Sequence, residues 1–261
     1  MRNFSNKLEK IVIKIGSSSI THKNGAVNIE RIEELAKEIS NIQDKGINVV
    51  LVSSGAIACG AKQLGMGKRP RDTIGKQATS AVGQVALMNT YNRAFGEYGY
   101  KVGQVLLTKV IETDEKMSEN ARNTFDQLMK MDVVPIVNEN DTISTFEIMF
   151  GDNDTLSAVV ARLIDADLLI LLSDIDGLYT DDPNKNSDVE LIKEVNIIDE
   201  NLKSMAKDSD SSVGTGGMAT KIKACTMCME KGIDVVIANS DDLKNVRKIV
   251  RGDEIGTIFK R

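Results

Sequence analysis

The stretch KIVIKIG, residues 10–16, is a short run of mostly β-branched residues that contains one charge and ends on a glycine. Similar apolar runs recur along the chain as INVVLVSSG (47–55), YKVGQVLLT (100–108), DVVPIVNEN (132–140), DLLILLSD (167–174) and IDVVIANS (233–240), and a shorter strand is predicted in EIGTIF (254–259). Strands that are apolar along their whole length are typical of a parallel sheet covered by helices on both faces. The sequence therefore predicts an α/β fold, specifically a three-layer αβα sandwich with a mainly parallel central sheet.

Segments with a helical period separate these runs. They are NIERIEELAKEISNIQDKG (28–46), AIACGAKQLG (56–65), IGKQATSAVGQVALMNTYNRAFGEYG (74–99), SENARNTFDQLMKM (118–131), DNDTLSAVVARLIDA (152–166) and MATKIKACTMCMEKG (218–232). TISTFEIMFG (142–151) breaks the pattern and predicts a small hairpin or flap. Because no repeat, low-complexity tract or linker divides the chain, we expect residues 1–261 to form a single domain.

Charge and composition exclude several classes of partner. The 33 basic and 38 acidic residues give a net charge of −5, which offers no electrostatic reason to bind nucleic acid or an anionic membrane. The N-terminal apolar run is short and is interrupted by Lys14, so it resembles neither a signal peptide nor a membrane span. We therefore expect a cytoplasmic protein.

The three cysteines do not predict a disulfide framework or a zinc site, since their number is odd and only one C-x-x-C pair exists. Cys225 and Cys228 form that pair inside a helical segment, not at its N-terminus where a redox motif would stand. Met218, Ile222, Cys225 and Met229 share one face of that helix. We expect Cys225 and Cys228 to be small buried apolar side chains.

Lys14 is the first residue with predicted chemistry, because an unpaired ammonium in a buried strand costs several kcal/mol. It needs an anion, which could be a protein carboxylate or a ligand, unless the strand lies at an edge. GSSS (16–19) follows at once, and VSSGA (52–56) repeats the pattern of a strand end that leads into a helix start. Ser53 or Ser54 could simply cap that helix. Two helix N-termini beside a lysine favour an anion site.

Polar residues also follow the other strands. VNENDT (137–142) places amides and carboxylates where a buried strand must end, GDND (151–154) opens a helix, and LLSD ends in Ser173 and Asp174. Each could be only a polar turn or a helix cap. In open α/β sheets, however, ligands bind at the carboxyl ends of the strands, which is where these groups fall.

VGTGGMATK (213–221) is rich in glycine and hydroxyl side chains and ends in a lysine at a helix start. It lacks the spacing of a P-loop. It does fit the loose dinucleotide pattern G-x-G-x-x-A, but it does not follow a strand tightly, and the next strand lacks the acidic residue that binds ribose. We interpret it as a phosphate-binding helix start of another kind.

In order and spacing, these motifs resemble the amino acid kinase family along essentially the whole chain. The segments that carry the resemblance are VIKIGSSSI, VSSGAIACG, KQATSAVGQ, VGQVLLT, NAR, VPIVNENDT, GDNDTLSA, LLSDIDGLYTDDP and GTGGMATKI. NEND with GDND and GTGGMATK resembles those members that phosphorylate the γ-carboxylate of L-glutamate, the first step of proline biosynthesis. The resemblance implies ATP and Mg²⁺ as cofactors, with Mg²⁺ carried by ATP and no dedicated metal site.

The resemblance also assigns roles to residues. Lys14, Lys221 and Asp154 would be catalytic, with Asp154 orienting the two lysines. Ser54, Asp141 and Asn153 would bind glutamate, with Gly55, Ala56, Asn138 and Asp152 close by. The ATP-binding residues would be Lys14, Ser173, Asp174, Thr215, Gly216, Gly217, Met218, Ala219, Thr220 and Lys221. The part up to about residue 165 would bind glutamate and the part from about 166 to 261 the nucleotide.

Further expectations concern partners. Family members assemble as dimers or tetramers, and the helix that starts near Ile74 is a candidate interface. Proline would be a feedback inhibitor, and a glutamyl-phosphate reductase a functional partner that consumes the labile product. We expect no C-terminal RNA-binding-type (PUA) domain in this chain.

Two alternatives remain open. The chain could phosphorylate another small acid or phosphate, such as acetylglutamate, aspartate or uridine monophosphate. It could also be a non-catalytic sensor of an amino acid or nucleotide on the same fold, although a lysine on each side of the transferred group disfavours that.

Overall fold

A computed structural model describes residues 1–144, 153–181, 188–200, 202–203 and 217–261. The predicted hairpin or flap at 142–151 lies almost entirely outside these residues. None of the helices within the described ranges is both long and apolar enough to cross a membrane.

The predicted strands form one eight-stranded sheet. Its strands are β1 (Lys10–Ile15), β2 (Asn48–Ser53), β3 (Lys101–Leu107), β4 (Val133–Glu139), β5 (Leu168–Ser173), β6 (Glu194–Val195), β7 (Asp234–Asn239) and β8 (Thr257–Phe259). Their order across the sheet is β3-β4-β2-β1-β5-β7-β8-β6. Six strands from β3 to β7 are mutually parallel, and β8 pairs antiparallel with β7. The mainly parallel sheet is confirmed, and the short strand β6 was not predicted.

Helices cover both faces of the sheet. They are α1 (Ser17–Ile20), α2 (Ile29–Gln43), α3 (Ala56–Gln63), α4 (Thr73–Gly96), α5 (Glu115–Lys130), α6 (Asn153–Leu163), α7 (Met218–Met229) and α8 (Lys244–Val250), with a 3₁₀ turn at Lys109–Glu112. One core cluster joins the sheet to α2, α3, α4 and α8, and a second joins it to α5, α6 and α7. The three-layer sandwich is thereby confirmed.

Strand β1 lies at the centre of the sheet and illustrates why both faces are apolar. Ile11, Ile13 and Ile15 belong to one core cluster and Val12 to the other, and all four are fully buried. Side chains alternate between the two faces of a strand, so both sets must be apolar when both faces are covered. Because β1, β2, β4 and β5 are parallel, their carboxyl ends meet at one edge of the sheet.

The cysteine interpretation is confirmed. Cys59, Cys225 and Cys228 are free and buried. Burial raises the pKa of the Cys59 thiol to about 11 and that of Cys228 to about 12. These thiols are therefore held in their neutral form at neutral pH.

Candidate active site

Three charged side chains from distant parts of the sequence meet at the carboxyl edge of the sheet. Lys14 is in β1, Asp154 is in the first turn of α6, and Lys221 is in the first turn of α7. Lys14 Nζ lies 2.6 Å from Asp154 Oδ1, and Lys221 Nζ lies 3.1 Å from Asp154 Oδ2. One carboxylate thus connects the two lysines that the sequence singled out.

All three charges are withdrawn from solvent, with exposed fractions of 7% for Lys14, 5% for Lys221 and 0% for Asp154. Burial by itself raises the pKa of the Asp154 carboxyl, but the charges and hydrogen bonds of the two lysines outweigh it, and the net pKa is lowered. Asp154 is therefore ionised at neutral pH. The cluster combines two basic side chains with one carboxylate, which suits a bound anion.

The start of α7 adds backbone donors beside this cluster. Gly217 is the N-cap and has extended backbone, so the first N–H groups of the helix lack intrahelical acceptors. Thr220 Oγ1 lies 3.0 Å from Asp154 Oδ2 and 2.8 Å from the Gly217 carbonyl oxygen. Met218 and Ala219 complete this first turn. The predicted phosphate-binding residues Thr215 and Gly216 lie outside the described residues.

Ser173 and Asp174 stand where β5 ends, next to the strand that carries Lys14. The Ser173 hydroxyl donates to Asp174 Oδ1 at 3.1 Å, and the Ser173 carbonyl accepts from the Ser240 amide at 2.7 Å. Within the described residues, the hydrogen bonds of these two side chains do not reach either lysine.

Asn153, Ser54 and Asn138 form a second group beside the charged cluster. Asn153 Nδ2 lies 2.7 Å from Ser54 Oγ, 3.0 Å from the Ser53 carbonyl oxygen and 3.1 Å from Asn138 Oδ1. Gly55 follows with φ of 101°, a left-handed conformation that turns the chain into α3 and that favours glycine. Since Asn153 precedes Asp154 directly, the amide group and the charged cluster adjoin.

Within the described residues, Asp141 is not hydrogen-bonded to any other predicted site residue. It lies two residues after β4, and Oδ2 of its carboxylate accepts from the Ser80 hydroxyl of α4. Burial raises the pKa of the Asp141 carboxyl, the Ser80 hydrogen bond lowers it, and the charge of Glu139 raises it further; the net pKa is raised. Asp152 lies outside the described residues.

Glu139 is a buried acid for which the sequence suggested no separate role. Its exposed fraction is only 4%, and neither carboxylate oxygen has a hydrogen-bond partner within the described part of the chain. Asn138 and Glu139 are neighbours in one strand, so their side chains leave it on opposite faces. Glu139 acts on Asp141 through its charge, which raises the pKa of the Asp141 carboxyl.

Two residues that contact the predicted site were missed by the sequence reasoning, and two more contact the strand ends beside it. Gln84 Oε1 accepts from Asn138 Nδ2 at 3.0 Å, and Ser80 binds Asp141. The Tyr91 hydroxyl lies 2.8 Å from Ser53 Oγ, and Arg31 donates to the backbone carbonyls of Ser19, Ser240 and Asp241. The motif KQATSAVGQ contained Ser80 and Gln84, but its helical period predicted only a helix.

The geometry suits the transfer of a charged group between two anions. A buried, positively charged cluster and a helix N-terminus can hold phosphate oxygens. The adjoining amides, hydroxyl and carboxylates can orient a small polar molecule that carries both signs of charge.

Comparison with known families and proteins gives consistent matches. The profile of the amino acid kinase family matches residues 9–239. A glutamate 5-kinase of Clostridium perfringens is 47% identical over 99% of this chain and 98% of its own length. A glutamate 5-kinase of Enterococcus faecalis is 44% identical over 99% of this chain and 97% of its own length.

Solved structures match at the level of the fold. The UMP kinase from Bacillus anthracis is 16% identical with a TM-score of 0.64, covering 98% of this chain and 97% of its own. The isopentenyl phosphate kinase from T. acidophilum is 19% identical with a TM-score of 0.63, covering 96% of this chain and 100% of its own.

Proposed function

Because the chain belongs to the amino acid kinase family and is similar to glutamate 5-kinases over nearly its whole length, we propose that it transfers the γ-phosphoryl group of ATP to the γ-carboxylate of L-glutamate. The product is L-glutamyl 5-phosphate, the first intermediate of proline biosynthesis. The observation that carries the proposal is the buried Lys14–Asp154–Lys221 cluster at the carboxyl edge of the sheet.

The reaction needs little acid–base chemistry from the protein. The γ-carboxylate is already ionised at neutral pH and attacks the γ-phosphorus, while the bond from that phosphorus to the β–γ bridging oxygen breaks and leaves ADP. The obstacle is repulsion between two anions and the charge spread over the phosphoryl oxygens. Lys14 and Lys221 supply positive charge to the moving group, and Asp154 fixes their ammonium groups in place.

Mg²⁺ is expected to arrive on the nucleotide. No group of three or more His, Cys, Asp or Glu side chains is placed to hold a metal ion within the described ranges. The hydrogen-bond donors at the transfer site are lysines and helix N–H groups, and the Asp154 carboxylate there is paired with both lysines, so the site suits phosphate oxygens better than a cation. When bound, Mg²⁺ would neutralise charge on the β- and γ-phosphates.

The remaining assignments follow the same division of the site. We assign nucleotide binding to Ser173, Asp174 and the first turn of α7, together with Thr215 and Gly216. Glutamate binding is assigned to Ser54, Asp141 and Asn153. The part up to about residue 165 would hold glutamate and the part from about 166 onward the nucleotide.

A homodimer or tetramer is also proposed. Ile74 and Val85, on the outer side of α4, have exposed fractions of 78% and 63%. Ala78 and Ala81 are exposed between them, so three turns of the helix present an apolar stripe to solvent. Exposed apolar surface of this kind is typical of an interface. Proline inhibition at the glutamate site and use of the product by a reductase remain proposals.

The test is ATP consumption by the purified protein with Mg²⁺ and hydroxylamine, which traps an acyl phosphate as a hydroxamate. L-Glutamate, aspartate, acetylglutamate and uridine monophosphate are compared as acceptors. Glutamate-dependent ADP release with hydroxamate formation is expected. Turnover of another acceptor alone would contradict the substrate, and ATP binding without turnover of any acceptor would favour a sensor.

Lys221→Ala is expected to abolish turnover and to leave glutamate binding, measured by calorimetry, within about threefold of wild type, because the lysine acts on the phosphoryl group. Unchanged turnover in a folded Lys221→Ala protein would contradict the catalytic assignment.

A further inference from the structure

Helix α4 carries the motif KQATSAVGQ, and the proposed function uses only its outer, apolar side, where Ala78 and Ala81 lie. Ser80 and Gln84 are four residues apart and therefore lie on the same face of the helix. Their exposed fractions are 4% and 8%, and that face is turned toward the candidate site. Gln84 contacts Asn138 near the end of β4, and Ser80 contacts Asp141 in the turn that follows β4.

Ser80 fixes one oxygen of Asp141. Its hydroxyl donates to Oδ2, which leaves Oδ1 to meet a ligand. The turn that holds Asp141 is itself pinned, since the Asn140 amide donates to the Leu107 carbonyl at 2.7 Å. A hydrogen bond to a carboxylate stabilises its ionised form, so Ser80 also favours the charge that an ammonium group would need.

Gln84 is the first member of a chain of hydrogen bonds. It accepts from Asn138 Nδ2, and this directs Asn138 Oδ1 toward Asn153 Nδ2 at 3.1 Å and the Glu139 amide at 2.9 Å. Asn153 in turn contacts Ser54 Oγ at 2.7 Å. Flipping the side-chain amide of Asn138 or Asn153 would place two donors or two acceptors against each other. Each hydrogen bond therefore fixes the orientation of the next side chain in the chain.

We propose that Ser80 and Gln84 are positioning residues for the acceptor amino acid: without contacting it, they set the orientation of the Asp141 carboxylate and of the Asn138–Asn153–Ser54 chain. The inference rests on the proposed function, because these are the residues to which acceptor binding was assigned. It assigns α4 a part in acceptor affinity that is separate from the lysine cluster.

The expected signature is a split between two Michaelis constants. Ser80→Ala removes the donor, and Gln84→Met removes the amide while keeping the length of the side chain. Each should raise the KM for glutamate about tenfold, the effect of losing one buried hydrogen bond. The KM for ATP and kcat at saturating glutamate should stay within about twofold, since the lysine cluster is untouched.

Thr79→Val is the matched control. Thr79 is the neighbour of Ser80, its exposed fraction is 2%, and its hydroxyl donates to the carbonyls of Gly75 and Lys76 in its own helix. This variant should leave both constants unchanged. An equal rise of the glutamate KM in Thr79→Val, or a parallel rise of both constants in Ser80→Ala and Gln84→Met, would overturn the proposal.

A double-mutant cycle separates positioning from general packing. If Ser80 acts through Asp141, Ser80→Ala should add less than about twofold to the glutamate KM of Asp141→Asn. A full tenfold effect in the Asp141→Asn background would overturn the role of Ser80. If wild type used a different acceptor, the proposed function would fail, and the same variants would then be scored on the KM of that acceptor.

Discussion

Asp154 is the residue on which the transfer site depends, because it is the shared partner of two buried ammonium groups. The sequence predicted that Lys14 needs an anion, and the ion pair with Asp154 supplies one. Spacing alone could not identify this carboxylate, since an acid in the first turn of a helix equally suits the helix dipole. Only the family resemblance pointed to it.

Asp154→Asn is expected to lower kcat at least about a hundredfold, because the lysines lose the group that orients them. It should also lower the free energy of unfolding by about 3–5 kcal/mol, because two buried ammonium groups lose their counter-charge. Steady-state kinetics and urea unfolding measure the two effects.

Asp165→Asn is the control, since it removes a carboxylate from the exposed pair with Arg122, at 3.1 Å. It should change stability by less than about 1 kcal/mol.

Because the pKa of Asp154 is lowered, its stabilising contribution is present above the ordinary pKa range of an aspartate and is lost as the pH falls below that range. An Asp154→Asn protein as active as wild type would refute the orienting role.

Glu139 offers a test of charge alone. It contributes to the raised pKa of Asp141, so Glu139→Gln should lower that pKa. If ionised Asp141 binds the ammonium group of glutamate, the acid limb of the pH profile of kcat/KM for glutamate should move to lower pH. A limb that stays in place, or that moves to higher pH, would argue against Asp141 as the group that titrates.

Ser80, Gln84 and Arg31 show the limit of prediction for single residues. Ser80 is 61 residues from its partner in the sequence, Gln84 is 54, and the Arg31 contact with Ser240 spans 209. Polar residues at helical spacing predict a helix face, but their partners depend on how helices pack on the sheet. Such contacts therefore could not be read from local pattern.

At the scale of elements, α3 and α4 pack backbone to backbone. A Cβ atom built on Gly60 would lie 1.7 Å from the Thr79 carbonyl oxygen, and one on Gly83 would lie 1.8 Å from the Ala56 carbonyl oxygen. Only glycine fits at either point. This contact holds the start of α3, where Ser54 and Gly55 lie, against the helix that carries Ser80 and Gln84.

Gly83→Ala should therefore cost at least about 1–3 kcal/mol of unfolding free energy, because the helices must move apart. It should also raise the KM for glutamate, because Ser54 shifts relative to α4. Thermal unfolding and kinetics are the measurements.

Gly96→Ala, at the end of the same helix, meets no atom within 4 Å. It should be neutral or stabilising by up to about 1 kcal/mol. Equal stability of the two variants would show that the close approach of α3 to α4 is unimportant.

The long strands and helices were predictable because apolar runs and helical periods are local signals. The short strand β6 was not, because its two residues have no period to detect, and α1 was predicted only as a helix start at GSSS. Their conformations depend on pairing with β8 and on the turn after β1.

At the scale of the whole molecule, the outer stripe of α4 is the feature that bears on assembly. The strand order places α4 near the β3 edge and Ile197 after β6, at the opposite edge. Val85→Arg should weaken self-association at least tenfold, because it buries a charge in the proposed interface.

Light scattering after gel filtration measures the oligomer. Ile197→Arg, at a side chain with an exposed fraction of 78%, is the control and should leave the mass unchanged. If the Val85→Arg protein had the same oligomer mass as wild type, the interface would not lie on the outer stripe of α4.

The Lys14–Asp154–Lys221 cluster also has a consequence for how the chain folds. Lys14 lies in β1, Asp154 in α6 and Lys221 in α7, so no short fragment of the chain contains all three. Contacts between such distant segments form only after much of the chain is ordered. We expect regained turnover to lag the recovery of helical circular dichroism during refolding, which would make enzyme activity a late reporter of the native state.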